Sequence, residues 1–317
     1  MHYIVFDLEW NQSPAGKKGS EEHLPFEIIE IGAMKLNEKK EAVDHFHRLI
    51  KPQVYSRMHD CIHEVTHMDY KDLAYGELFP EAAGEFLDWC GCEDPEWKFF
   101  TWGNQDVMEL QRNLDYYRLL ELLPGPVTYY DVQKLFGIRY EDRKSRRSLE
   151  YAVDFLKLEK NMDFHRALED AWYTAQVLSR IEDAWIFPNS SLDVYQNPKS
   201  IEEEIHISYP TYDKYVSREF PDRESLMEDK EVVSTRCPVC HHAAKKKLRW
   251  FPYGQKNFYS LSVCKEHGFV KGKIRIRKTD EDRVYTVKTI RSINEEEAEE
   301  IRRKRESLRK KRQVRQR

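Results

Sequence analysis

The chain has 317 residues, of which 34% are charged, and a net charge of −4. That length suffices for one substantial domain and a smaller one. No apolar run is long enough to cross a bilayer, and the opening MHYIVF meets Asp7 before any signal-peptide hydrophobic region forms, so no membrane role and a soluble, cytoplasmic location are expected. The charge is unevenly distributed. From Arg236 to Arg317 there are 25 Lys and Arg against 10 Asp and Glu, a net +15, which leaves −19 on residues 1–235. An acidic body with a basic C-terminal region points to a polyanionic partner for that region; the plainer reading is a tail that is merely soluble.

In chain order, HYIVFDLEW reads as a first strand, and EIIEIGAMKL and AVDHFHRLI as a second and third joined by the polar turn NEKKE. PEAAGEFLDWC is amphipathic and helical, and WKFFTW is a short buried strand. DVMELQRNLDYYRLL is helical until Pro124 and Gly125 stop it; VTYYDV is a further strand and SLEYAVDFLKL a further helix. Leu168, Ala171, Trp172, Ala175, Leu178 and Ile181 recur at helical spacing between Arg166 and Trp185. Three early strands followed by alternating strand and helix predict a mixed α/β sheet with helices packed on it. The predicted divisions are a first domain at 1–187, a linker or packed arm at 188–234, a small metal-binding module at 235–292, and a charged, solvated or frayed helical tail at 293–317.

Asp7 and Glu9 stand one residue apart where the first strand emerges, so both carboxylates point to one face. Like charges held that close repel unless something positive lies between them. Asp106 follows the strand WKFFTW, Asp170 stands near the start of a late helix, and His165 just before it. In-line displacement at a phosphate is well served by two divalent ions about 3.5–4 Å apart. Hard ions such as Mg²⁺ prefer carboxylate oxygens, and a histidine beyond them can take a proton from the attacking water. Each residue also has a duller reading. Asp7 and Glu9 could be solvated strand-end acids, Asp106 a helix N-cap, His165 a surface histidine, and Asp170 a partner of Arg166 one turn earlier.

In order and context the set Asp-x-Glu, later Asp, His-x₄-Asp resembles the DEDDh 3′→5′ exonucleases over residues 1–187, with IIEIGA and HEVTHM standing where that family has similar strings. The resemblance implies a ribonuclease-H-like fold in which Asp7, Glu9, Asp106 and Asp170 hold two Mg²⁺ or Mn²⁺ ions. It further implies that His165 is the general base and that 5′-mononucleotides leave from the 3′ end of single-stranded nucleic acid. The two strings lean toward the RNA-acting members. Many members have a small residue or threonine after the glutamate where this chain has Trp10, which could stack on the terminal base or be buried. A DNA exonuclease, or an inactive nucleic-acid-binding protein on the same scaffold, are the other readings; the intact five-residue set argues against the latter.

Two further motifs involve metal ligands. His63 to His67 spells HEVTH, the zinc-protease pattern, near His59. A protease needs both histidines on a long helix, but the polar MDYKDLAYGELFP predicts that the helix ends near His67, so a chance match is favoured. Six cysteines occur, Cys61, Cys90, Cys92, Cys237, Cys240 and Cys264. Cys237 and Cys240 have two residues between them, and Cys264 and His267 repeat that spacing, which predicts a tetrahedral Cys₃His zinc site, with Gly268 suiting the tight turn. His241 and His242 are rival ligands disfavoured by their adjacency to Cys240. The surrounding KKKLRW, KGKIRIRK, Phe258 and Tyr259 are the residue types that meet phosphates and bases, so further nucleic-acid contact through this region is expected.

Overall fold

The computed structural model describes residues 2–15, 19–21, 23–91, 96–142, 145–209, 212–279 and 281–315; Cys92 lies outside them. The chain divides into two compact units, Met1–Gln196 and Asn197–Arg317. Among the described residues, no helix is long and apolar enough to cross a membrane.

In the first unit, β1 (His2–Gln12) is apolar through its first half because both of its faces are covered. It pairs antiparallel with β2 (Phe26–Leu36), which pairs antiparallel with β3 (Ala42–Leu49). On the other side it runs parallel to β4 (Trp97–Thr101), which is parallel to β5 (Thr128–Asp131). The two-residue β6 (Ser191–Leu192) closes the edge antiparallel to β5, giving the sheet order β3-β2-β1-β4-β5-β6. The helices are α1 (Asp60–Thr66), α2 (Phe79–Cys90), α3 (Asp106–Tyr116), α4 (Val132–Tyr140), α5 (Leu149–Phe155), α6 (Ala167–Ser179) and α7 (Asp183–Ile186).

The period-2 alternation of β1 sorts its side chains into two cores. Ile4, Phe6 and Leu8 pack with residues of α2 and α3, whereas Tyr3 and Val5 pack with residues of α4, α5 and α6. A mixed sheet covered by helices on both faces, in the ribonuclease-H-like order, is therefore what the strand and helix pattern anticipated. Gly32 explains how α6 reaches the sheet. A Cβ there would lie 2.1 Å from the Leu168 amide nitrogen, so only glycine permits the contact.

The second unit is an all-antiparallel sheet ordered β7-β8-β12-β11-β10-β9. Its strands are β7 (Ile205–Ser208), β8 (Tyr212–Val216), β9 (Lys245–Pro252), β10 (Asn257–Cys264), β11 (Gly268–Lys278) and β12 (Val284–Ile293), with helices α8 (Arg223–Glu228), α9 (Lys230–Val233) and α10 (Glu295–Arg315). Two features differ from the sequence expectation. The stretch 188–234 is shared between the units: β6 joins the first sheet, and β7 and β8 join the second through β12. The segment expected to be a separate metal-binding module is thus part of a six-stranded sheet that starts before its cysteines. The charged tail is helical, but its first turns are docked. Ala298 and Ile301 are buried against Phe251 and Leu261, and Arg302, Lys304 and Arg305 lie over Phe269, Tyr259 and Phe251. Two buried apolar residues, with cationic stems laid on aromatic rings, suffice where the sequence pattern offers little apolar face.

Candidate active site

β1 carries Asp7 and Glu9 to the face that α6 covers, because both share parity with Tyr3 and Val5. α6 begins at Ala167, which puts Asp170 in its first turn opposite them. One carboxylate oxygen from each of Asp7, Glu9 and Asp170 lies within 4.8 Å of the other two. Asp106 is the first residue of α3 and is 4% exposed. It is not the N-cap, a position held by Gln105; its Oδ1 instead accepts from the Leu8 amide at 3.3 Å, tying the start of α3 to β1 beside the acids.

The electrostatics follow from this crowding. Burial, then the charges of Asp106, Glu9 and Asp170, push the Asp7 carboxyl well above the usual carboxylate range. Burial and the neighbouring carboxylates raise Glu9 to about 8. Asp106 and Asp170 are each pushed up to about 7, chiefly by burial. Asp170 Oδ1 is buried with no hydrogen-bond partner among the described residues, and Oδ2 accepts from the His165 amide at 3.2 Å. Four acids that repel one another, one with an orphaned inward oxygen, form a donor set of the kind hard divalent cations take.

His165 sits at the rim. Its side chain is exposed, and its backbone is left-handed at φ 68, a turn closed by the amide bond to Asp170. Trp10 is half-buried, its ring tilted against Phe26 at 5.9 Å, and it also borders the cleft over the acids. That cleft measures about 460 Å³ and is further lined by Trp102, Asn104, Gln133 and Arg146.

Sequence reasoning missed the supports of this site. Asp170 does not pair with Arg166. The Arg166 guanidinium instead binds Glu30, with Nη2 2.8 Å and Nε 3.2 Å from its oxygens, and the Ala167 amide donates to Glu30 at 3.2 Å. His47 Nε2 is 2.7 Å from the same carboxylate. Glu30 faces Glu9 across the β1–β2 register, so this network fixes the start of α6 to the strand beside the acids. A glutamate inside the apolar run EIIEIGA was the available signal. Asp131 was also missed. It ends β5, is 2% exposed, caps α4 through the Lys134 amide at 2.8 Å, and adds to the negative field at Asp106.

The HEVTH match has no metal-site geometry. α1 ends at Thr66, and His67 is its left-handed cap at φ 55, so it does not follow His63 along the helix. His63 Nδ1 instead lies 2.9 Å from the Met68 carbonyl. In the second unit, Cys237, Cys240, Cys264 and His267 converge. Cys237 Sγ is 3.6 Å from His267 Nδ1, Cys240 Sγ 3.6 Å from Cys264 Sγ, and Cys264 Sγ 3.7 Å from His267 Nδ1. Ligands about 2.3 Å from a tetrahedral zinc stand about 3.7 Å apart, so the edges fit. Gly268 follows at φ +73. His241 lies outside the cluster, 3.8 Å from Asp213, and His242 is outside it as well.

Residues 4–178 match the RNase T exonuclease family model. No curated protein matches the chain. Among solved structures, the nuclease domain of 3′hExo, a DEDDh family member bound to rAMP, is 20% identical with a TM-score of 0.49, over 56% of this chain and 90% of that one. Cell-death related nuclease 4 is 14% identical with a TM-score of 0.49, over 65% and 68%. E. coli Exonuclease I in complex with a dA16 oligonucleotide is 13% identical with a TM-score of 0.43, over 56% and 40%.

Proposed function

The chain belongs to the exonuclease family, and on that premise we propose that it is a two-metal-ion 3′→5′ exonuclease releasing 5′-mononucleotides from single-stranded nucleic acid, with RNA preferred. The observation that carries this reading is the crowding of Asp7, Glu9 and Asp170 oxygens within 4.8 Å, with buried Asp106 adjoining. Those four residues would hold two Mg²⁺ or Mn²⁺ ions, which when bound neutralise charge on the scissile phosphate and acidify the attacking water. His165, exposed at the rim and tethered to Asp170 through its own amide, takes the proton from that water. Trp10 offers its cleft edge to the terminal base. The preference for RNA rests on IIEIGA and HEVTHM.

Cys237, Cys240, Cys264 and His267 would hold one Zn²⁺ in a closed, structural site, pinning the knuckle before β9 to the β10–β11 turn. The basic C-terminal region would add contacts to nucleic acid. The test is incubation of full-length protein with labelled single-stranded RNA and DNA of equal sequence in Mg²⁺ or Mn²⁺. 5′-Mononucleotides, formed faster from RNA, are expected. Faster release from DNA would move the substrate to DNA, and binding without hydrolysis of either would leave only the scaffold reading.

A further inference from the structure

One face of the second unit's sheet is a field of cations. Along β11 the even positions Gly272, Ile274 and Ile276 are buried, while the odd positions Lys271, Lys273, Arg275 and Arg277 stand on the opposite face. Cross-strand partners share a face, so the register adds Arg291 beside Lys271, and Lys214 two strands from Lys273 by way of Thr289. On the other flank Tyr259 pairs with Lys273, and Lys304 of α10 reaches in over Tyr259 and Tyr253 at 5.1 and 5.5 Å.

Five of these cations lack counter-charges. Among the described residues, Lys214, Lys271, Lys273, Arg275 and Arg277 have no ion-pair partner, and Arg277 Nε is buried with no hydrogen-bond partner. Glu297, which offsets part of the repulsion at Lys271, is already held by Arg291. Burial lowers the pKa of Lys271, Lys273 and Lys214, and neighbouring cations (Arg291, Arg275 and Arg277 respectively) lower it further. Holding half-buried like charges together is unfavourable, and an anion laid across them removes the penalty.

We propose that this face is a track for the phosphodiester backbone of single-stranded nucleic acid, with Lys271, Lys273, Arg275 and Arg277 meeting successive phosphates and Tyr253 stacking on a base at its edge. Alternate strand residues are about 6.6 Å apart, close to the phosphate separation of one extended strand. The four cations follow one β-strand at every second residue, so the row suits one nucleic-acid strand better than a duplex. Tyr253 is 38% exposed, leaving part of its ring free. The inference rests on the proposed nuclease function only for its choice of ligand.

The test measures binding, not cleavage. Full-length Asp7→Asn protein, without added Mg²⁺ or Mn²⁺, is titrated against a fluorescent single-stranded oligonucleotide by anisotropy across a salt series. Adding Lys271→Gln, Lys273→Gln and Arg275→Gln should flatten the log–log salt slope by about 2, and weaken binding by about a hundredfold near 50 mM salt. Lys271→Arg, Lys273→Arg and Arg275→Lys should keep both, which separates lost contacts from misfolding. Lys39→Gln, Lys51→Gln and Lys157→Gln, exposed lysines of the first unit, remove equal charge elsewhere and should change the slope little. An unchanged slope in the face variant, or an equal loss in the control, overturns the proposal. So does selective loss of binding to phosphatidylserine vesicles with oligonucleotide binding intact. A failed nuclease assay with this binding pattern preserved would refute the catalytic reading and leave the track standing.

Discussion

Arg166→Met isolates the ion pair that anchors α6 under Asp170. Glu30 is fully buried, whereas the Arg166 side chain is 34% exposed. The substitution leaves Glu30 with His47 at 2.7 Å and the Ala167 amide at 3.2 Å. Breaking one side of a fully buried pair costs about 3–5 kcal/mol. Solvent screening at Arg166 and the two remaining partners reduce this to about 2 kcal/mol. In a unit of this size that lowers Tm by about 4–8 °C. Glu30→Gln should cost about half as much, because the freed guanidinium can turn to water while a freed buried carboxylate cannot. The pH dependence has a definite sign. Burial alone would raise the Glu30 pKa, but hydrogen bonds from His47 and Arg166 and the guanidinium charge outweigh it and hold it below its ordinary 4.5. A depressed acid contributes stability above its unfolded pKa and loses it as pH falls through the folded value. The gap between wild type and Arg166→Met should therefore be full at neutral pH and close below about pH 4.5. Thermal melts by circular dichroism from pH 7 to about pH 3 measure it. A cost no larger than that of Glu30→Gln, or a gap independent of pH, refutes the reasoning.

Other consequences are as direct. Asp7→Asn should abolish nuclease activity while leaving the protein folded, and near-wild-type turnover would mean the site is misassigned. His165→Ala should slow hydrolysis by about 10²–10⁴-fold with metal binding retained; an unchanged rate over the whole pH range removes His165 from the mechanism. Metal-free protein should lose stability as pH rises from about 4 to 8, since Glu9 is raised to about 8 and Asp106 and Asp170 to about 7. Raised acids favour the fold below their unfolded pKa and lose that contribution as pH climbs through the folded value, so added Mn²⁺ should restore Tm most at pH 8. Elemental analysis should find one zinc per chain, and Cys237→Ser should lower that stoichiometry and melt the second unit first.

Much of this was legible in the sequence for local reasons. HYIVFDLEW and EIIEIGAMKL are near-continuous apolar runs because central strands are covered on both faces, and Asp7 and Glu9 stand out against that background. The convergence of Cys237, Cys240, Cys264 and His267 was legible because each pair repeats one short spacing. What escaped depends on contacts distant in sequence. Arg166 and Glu30 are 136 residues apart, so the nearer pairing with Asp170 looked natural. β7 and β8 are only four and five residues long, and β8 depends on β12, more than 70 residues later, for its place in a sheet; from sequence they resemble a linker. The docking of α10 depends on cation stems over aromatic rings, which a count of apolar residues overlooks.

The central claim is that the acids around Asp7 drive metal-dependent removal of nucleotides from a 3′ end. Single-stranded RNA labelled at its 5′ end, incubated with wild-type and Asp7→Asn protein with and without Mg²⁺ or Mn²⁺, tests it in one time course. A ladder that shortens stepwise from the 3′ end is expected, only with metal and only with wild-type protein. Immediate release of labelled mononucleotide, internal cuts, or a ladder that persists in Asp7→Asn would contradict it.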